Sequence, residues 1–141
     1  YGRFKTDASQ ASSVYEKQPG GKYLLVKRNV SSKPLDHNPP LISRTVISYI
    51  HKRFSTELSF MYNGWKYLDE YNADGEDNAQ YATADGTPSW YTLNWKGSFN
   101  VSKSLQVQLG VENILDRNYR AFASGFSAAG RNFLLAIRAN W

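Results

Sequence analysis

The chain has 141 residues, about one domain by length, with 41% hydrophobic and 15% aromatic residues and a mean hydropathy of −0.57. It holds no Cys, which excludes disulfide staples and thiolate metal or redox sites, and no long apolar run, which excludes a membrane-spanning helix. Net charge is +5, unevenly spread: residues 1–53 carry ten bases and three acids, the remainder seven bases and nine acids. The bases are scattered through loop-like sequence with no helix-turn-helix, zinc-finger or RNP pattern, so no nucleic-acid partner is expected. Ten Tyr, seven Phe and four Trp are too many for a disordered chain. What remains is an aromatic-rich β protein, either water-soluble or outer-membrane.

Tyr1 opens on polar and basic residues rather than on a secretory leader, as in a mature chain or one whose N-terminus lies elsewhere. Residues 1–40 read as a strand end at Tyr1–Asp7 followed by a long loop with a hairpin. Its arms are Val14–Lys17 and Lys22–Arg28, joined by the turn signal Gln18-Pro19-Gly20-Gly21. Asn38-Pro39-Pro40 forces extended backbone and removes two donors before a strand at Ile42.

Residues 41–141 carry five strands. Thr45, Ile47 and Tyr49 alternate weakly with Arg44, Val46 and Ser48, and Leu58, Phe60 and Tyr62 alternate with Glu57, Ser59, Met61 and Asn63. Tyr91, Leu93, Trp95, Gly97, Phe99 and Val101 alternate strictly with Thr92, Asn94, Lys96, Ser98 and Asn100. Leu105, Val107, Leu109 and Val111 oppose Gln106, Gln108, Gly110 and Glu112, and the last strand sets Phe133, Leu135, Ile137, Ala139 and Trp141 on one face. Period 2 over about ten residues marks strands with one apolar face. Connections alternate between tight ones (His51–Ser55, Ser102-Lys103) and the long loops 68–89 and 116–130, which describes an up-and-down antiparallel meander.

Alternation fits a soluble sandwich, apolar face inward, as well as a membrane barrel, apolar face to lipid. Strands long enough to cross a bilayer, an uncharged apolar face on the last three strands, and aromatics near strand ends favour the barrel. Trp95 sits mid-strand and is an exception.

Catalysis is not expected. His37 and His51 lack carboxylates at useful spacing, and there is no phosphate loop, nucleophile elbow or Cys nucleophile, so no cofactor, metal or catalytic residue is assigned. Residues 67–89 carry six acids and no base, but the spacing around Asn72-Ala73-Asp74-Gly75-Glu76-Asp77-Asn78 does not match an EF-hand loop and reads as a solvated loop. Trp65, Tyr71, Tyr81 and Trp90, with Asn and Asp neighbours, are the candidate ligand-binding residues of an extracellular vestibule. Trp65 and Trp90 equally suit an interfacial aromatic girdle.

The C-terminal half resembles the end of TonB-dependent outer-membrane receptors. The resemblance is carried by Gly110-Val111-Glu112-Asn113-Ile114-Leu115-Asp116-Arg117-Asn118-Tyr119-Arg120, by Gly130-Arg131-Asn132-Phe133, and by the aromatic end at Trp141 preceded by alternating apolar residues. It extends upstream to Pro34-Leu35-Asp36-His37-Asn38-Pro39-Pro40, and Tyr62-Asn63-Gly64-Trp65 with Gly75-Glu76-Asp77-Asn78 looks most like the Bacteroidetes-type branch. The resemblance implies that the chain is the C-terminal segment of one transmembrane barrel of about 22 strands, with no plug domain or TonB box in these residues. It implies outer-membrane import of a siderophore, haem, cobalamin or glycan, a periplasmic C-terminus, and contact with membrane lipid. The partners would be the TonB-ExbB-ExbD system, acting through the missing plug, and the barrel-assembly machinery. Asn113, Asp116, Tyr119, Arg120, Gly130 and Arg131 would be family-motif residues with a structural role, and Phe133, Leu135, Ile137 and Trp141 the assembly signal. The alternatives are a complete eight-stranded outer-membrane barrel, or a soluble carbohydrate-binding β-sandwich.

Overall fold

A computed structural model describes residues 5–7, 11–35, 37–73 and 77–140. Its elements are eleven strands: β1 (Lys5–Asp7), β2 (Ala11–Lys17), β3 (Tyr23–Asn29), β4 (Ser32–Pro34), β5 (Ile42–His51), β6 (Phe54–Asn63), β7 (Lys66–Tyr67), β8 (Gly86–Thr87), β9 (Trp90–Asn100), β10 (Leu105–Glu112) and β11 (Asn132–Ala139). Two single 3-10 turns, Leu68–Glu70 and Ala79–Tyr81, complete them. The chain is all-β and antiparallel, with a barrel-like meander.

That meander is one five-stranded sheet in the order β11-β10-β9-β6-β5, so each long strand lies beside the next long strand in sequence. All five segments that alternate with period 2 are strands of this sheet. Register follows the pleat: Leu109 sits opposite both Leu135 and Gly97, and Val111 opposite Phe133 and Trp95, which keeps the apolar set on one face across three strands. β5 and β11 are the two edges. The other strands form three two-stranded sheets, β1-β4, β2-β3 and β7-β8, rather than adding to the first. The described strands therefore do not make a closed eight-stranded barrel.

Mid-strand Trp95 has a local explanation. A Cβ on Gly97 would come within 2.9 Å of the Trp95 ring, so the indole lies over the glycine two residues on. Its Nε1 donates to Thr56 Oγ1 on the neighbouring strand at 2.8 Å, which satisfies the polar atom of the indole.

The chain folds as two compact units. One comprises residues 43–62, 90–119 and 128–141 and holds almost all of the five-stranded sheet; the other comprises residues 1–42, 63–89 and 120–127. In the sheet unit, burial runs against the soluble rule. Ser59, Thr92 and Asn113 are buried, while Leu109, Leu135, Ile137 and Phe133 are 51%, 69%, 67% and 72% exposed. The buried hydrophobic residues among those described, Tyr71 and Ala79, both belong to the other unit. A sandwich strand would show the reverse.

The second unit contains the hairpin anticipated around Gln18-Pro19-Gly20-Gly21. Gln18 N–H donates to Lys22 O at 2.8 Å, closing a three-residue loop with Gly21 at φ +84, a left-handed position that favours glycine. β1 pairs antiparallel with β4, one on each side of this hairpin in the sequence.

Candidate functional site

The long connection between β10 and β11 is tied at its base. Asn113 and Asp116 both adopt left-handed backbone (φ 49 and 52), which Asn and Asp tolerate better than other side-chain-bearing residues. Between them the chain turns back, Asp116 N–H donating to Asn113 O at 2.8 Å. The buried Asn113 side chain then saturates itself. Its Nδ2 donates to Arg117 O (2.8 Å) and Ala129 O (3.3 Å), and its Oδ1 accepts from Arg117 N–H at 3.0 Å. Its backbone N–H donates to Asn94 Oδ1 at 2.8 Å. Asp116 Oδ1 accepts the Arg131 N–H at 2.8 Å, and Arg131 Nε donates to Ile114 O at 2.9 Å. Gly130 is confined to glycine by the same carboxylate, since a Cβ there would lie 2.7 Å from Asp116 Oδ1.

The motif residues Asn113, Asp116, Gly130 and Arg131 thus come together as one clasp. Tyr119 stands beside it, its ring centroid 4.1 Å from that of Trp90 and its carbonyl accepting the Ala128 N–H at 2.8 Å. Trp90 is half-buried, and its Nε1 has no hydrogen-bond partner among the described residues. Arg117 lies over the Tyr91 ring at 4.7 Å and donates to its hydroxyl. On the sheet beside the clasp is a cavity of about 290 Å3 lined by Arg44, Ser59, Thr92, Asn94, Glu112 and Asn132. Phe133, Leu135 and Ile137 are exposed along β11; Trp141 lies outside the described residues.

The second unit is organised around a lysine that no pattern in the sequence singles out. Lys66 is 2% exposed. Its Nζ donates to Asn38 O at 2.6 Å, stands 3.9 Å from Asp77 Oδ2, and lies over the rings of Tyr71 (4.5 Å) and Phe122 (4.3 Å). A buried ammonium needs this many partners to offset its lost hydration. Asp77 also accepts the His37 N–H at 2.7 Å and meets His37 Nδ1 at 2.6 Å. His37 is therefore a structural loop histidine with a carboxylate partner that its sequence neighbourhood did not reveal. His51 ends β5 and stacks near Tyr49.

Of the four candidate ligand residues, Tyr81 is 52% and Trp65 37% exposed, whereas Tyr71 is 3% exposed. The Tyr71 ring packs near Phe122, and its hydroxyl shares a 2.7 Å hydrogen bond with Thr87 Oγ1. Burial pushes that hydroxyl's pKa up, helped by the charges of Asp77 and Glu70 and opposed by the Thr87 bond. Tyr71 supports the loops from within rather than facing solvent. Arg120 donates to Tyr81 O at 2.7 Å and stands 5.8 Å from the ring centroid, and Asn78 Nδ2 donates to Ala123 O at 2.7 Å. Residues 120–127 and the 68–89 loop are locked together by these contacts. Asp74, Gly75 and Glu76, the middle of the acidic stretch, lie outside the described residues, as does Asp36. Among the described residues no group of three or more His, Cys, Asp or Glu is placed to hold a metal.

No family model matches the sequence, and no curated protein matches it. Among solved structures, that of the copper transporter OprC is similar to this chain, with a TM-score of 0.64 and 19% sequence identity. The similarity covers 83% of this chain and 19% of that one, so the chain spans about a fifth of that transporter's length. At this identity the likeness is one of fold: antiparallel strands in the same barrel-type arrangement.

Proposed function

We propose that this chain is wall and loops of an outer-membrane receptor that imports a ligand with TonB-supplied energy, its C-terminus on the periplasmic side. The observation that carries the reading is the inverted burial of the five-stranded sheet, with leucines and isoleucine outward and serine, threonine and asparagine buried. Such a sheet suits lipid on one face and a polar interior on the other. The fold shared with a copper transporter supports transport. The motif resemblance supports the TonB-dependent class and, more weakly, its Bacteroidetes-type branch.

On this reading the two edges, β5 and β11, pair with further strands of a barrel of about 22, since open edges are not tolerated in lipid. Phe133, Leu135, Ile137 and Trp141 serve as the assembly signal. Loops 68–89 and 116–130 face outward, with Trp65 and Tyr81 presented to the ligand and Tyr71 bracing them. OprC carries copper; for this chain the cargo is proposed to be a siderophore, haem, cobalamin or glycan, chosen on the aromatic loops. TonB-ExbB-ExbD acts through a plug domain.

Fractionation of cells expressing the full-length protein, with ligand uptake measured with and without TonB, tests the reading. Recovery in the outer membrane and loss of uptake without TonB are expected. Recovery as a soluble protein free of detergent would refute it and favour the sandwich.

A further inference from the structure

The segment Trp65-Lys66-Tyr67 alternates faces as a strand should. Lys66 points into the unit and is anchored on Asn38, Asp77, Tyr71 and Phe122. Trp65 and Tyr67 point the other way, 37% and 44% exposed, with ring centroids 5.7 Å apart and planes at 26°. Both are held in place. Trp65 Nε1 donates to Asp85 O at 3.3 Å, and Tyr67 N–H donates to Glu70 Oε2 at 3.0 Å. Gly86, paired with Tyr67, lets the two backbones approach so closely that a Cβ would lie 2.1 Å from Lys66 O. The result is a small rigid aromatic platform.

Other rings of this unit already carry a cation of the chain. Lys66 serves Tyr71 and Phe122, Arg120 serves Tyr81, and Lys17 stands 5.5 Å from the Tyr23 centroid. Among the described residues no cation lies over Trp65 or Tyr67. Acids stand close to them in the chain: residues 67–89 contain six acids and no base, and of these Asp69 and Asp85 are exposed. Their field reaches the neighbouring Tyr23, whose hydroxyl pKa is pushed up by burial and then by Asp69 and Asp85. A neutral ring could stack here as well, but only a cation uses both the ring faces and the carboxylates.

We propose that Trp65 and Tyr67, flanked by Asp69 and Asp85, bind an organic cation through its primary or quaternary ammonium group. The proposal goes beyond the receptor reading above and rests on it only for biological meaning.

The test titrates choline, and in parallel its uncharged carbon isostere 3,3-dimethylbutan-1-ol, into the full-length protein in a non-ionic detergent, followed by ligand-observed NMR. Choline should bind with roughly millimolar affinity and the alcohol about tenfold more weakly. Trp65→Ala, and separately Asp69→Asn with Asp85→Asn, should each weaken choline about tenfold, and Trp65→Phe, which keeps a ring and guards against misfolding, should retain most of it. Equal binding of choline and the alcohol would overturn the proposal, as would no choline binding or binding unchanged in Trp65→Ala. Choline binding by a protein absent from the outer membrane would sink the receptor reading and leave the site standing; uptake without choline binding would do the opposite.

Discussion

The two units of this chain solve burial in different ways. In the sheet unit the hidden residues are Ser59, Thr92 and Asn113, and the leucines look outward. In the loop unit the hidden residues include Tyr71 and Ala79 with Lys66, Asn63 and Asn72, a mixed core of ring, amide and ammonium groups. One chain thus carries a surface suited to hydrocarbon and a small core suited to water. The difference shows that average hydropathy says little about environment; which face each residue takes says a great deal.

Substitutions can break this contrast one unit at a time. The largest expected effect falls in the loop unit: Lys66→Met keeps the packing against Tyr71 and Phe122 but leaves the Asp77 carboxylate without its ammonium, costing about 4 kcal/mol. Limited proteolysis should then nick residues 68–89 while the thermal unfolding of the sheet in detergent is unchanged. Next is Leu109→Lys on the apolar face. In a water-facing strand a half-exposed leucine could be replaced almost freely, whereas mid-bilayer the lysine should cost about 2–4 kcal/mol, measured by urea titration in lipid vesicles. No change there would undo the lipid assignment of that face.

Asn113→Ala removes the side-chain bonds of the clasp and leaves the Arg117 N–H without its acceptor, for about 2 kcal/mol. The readout is faster hydrogen exchange at Arg117. The smallest effect sharpens the picture of the loop core. Because burial raises the Tyr71 pKa, the stability it contributes is complete below its unfolded value near 10 and is lost as pH climbs through the raised folded value. Tyr71→Phe should cost about 1 kcal/mol at neutral pH through loss of the Thr87 bond, and flatten the alkaline limb of the pH–stability curve.

Much of the sheet could be read from the chain because alternation is a local property: β6, β9, β10 and β11 announce themselves within their own residues, and β5 more weakly. The clasp was half legible. The pattern around Asn113, Asp116, Gly130 and Arg131 stands out as a motif, but the contacts of Asp116 with Gly130 and Arg131 that explain it cross the loop. The loop core was hidden. Lys66 reads as one more solvated base until Phe122 and Asn38 are brought over it, and His37 finds Asp77 forty positions away. The burial of Tyr71 is hidden for the same reason: a ring in an Asn- and Asp-rich loop does not reveal which side the distant strands will close. Long-range closure leaves no periodic trace.

The clasp also bears on how such a chain can change over time. A loop whose ends are held together by their own hydrogen bonds passes little of its length on to the strands, because closure is already made at Asn113, Asp116 and Arg131. Residues added between Phe126 and Ala128, beyond the contacts that Arg120, Phe122 and Ala123 make with the 68–89 loop, would cost only the slow logarithmic entropy of a longer ring, about 0.6 kcal/mol per doubling. The register of β10 against β11 would not shift. On the proposed reading, the tip of this loop is in effect a replaceable cassette, free to acquire new contacts while the sheet that carries it stays the same.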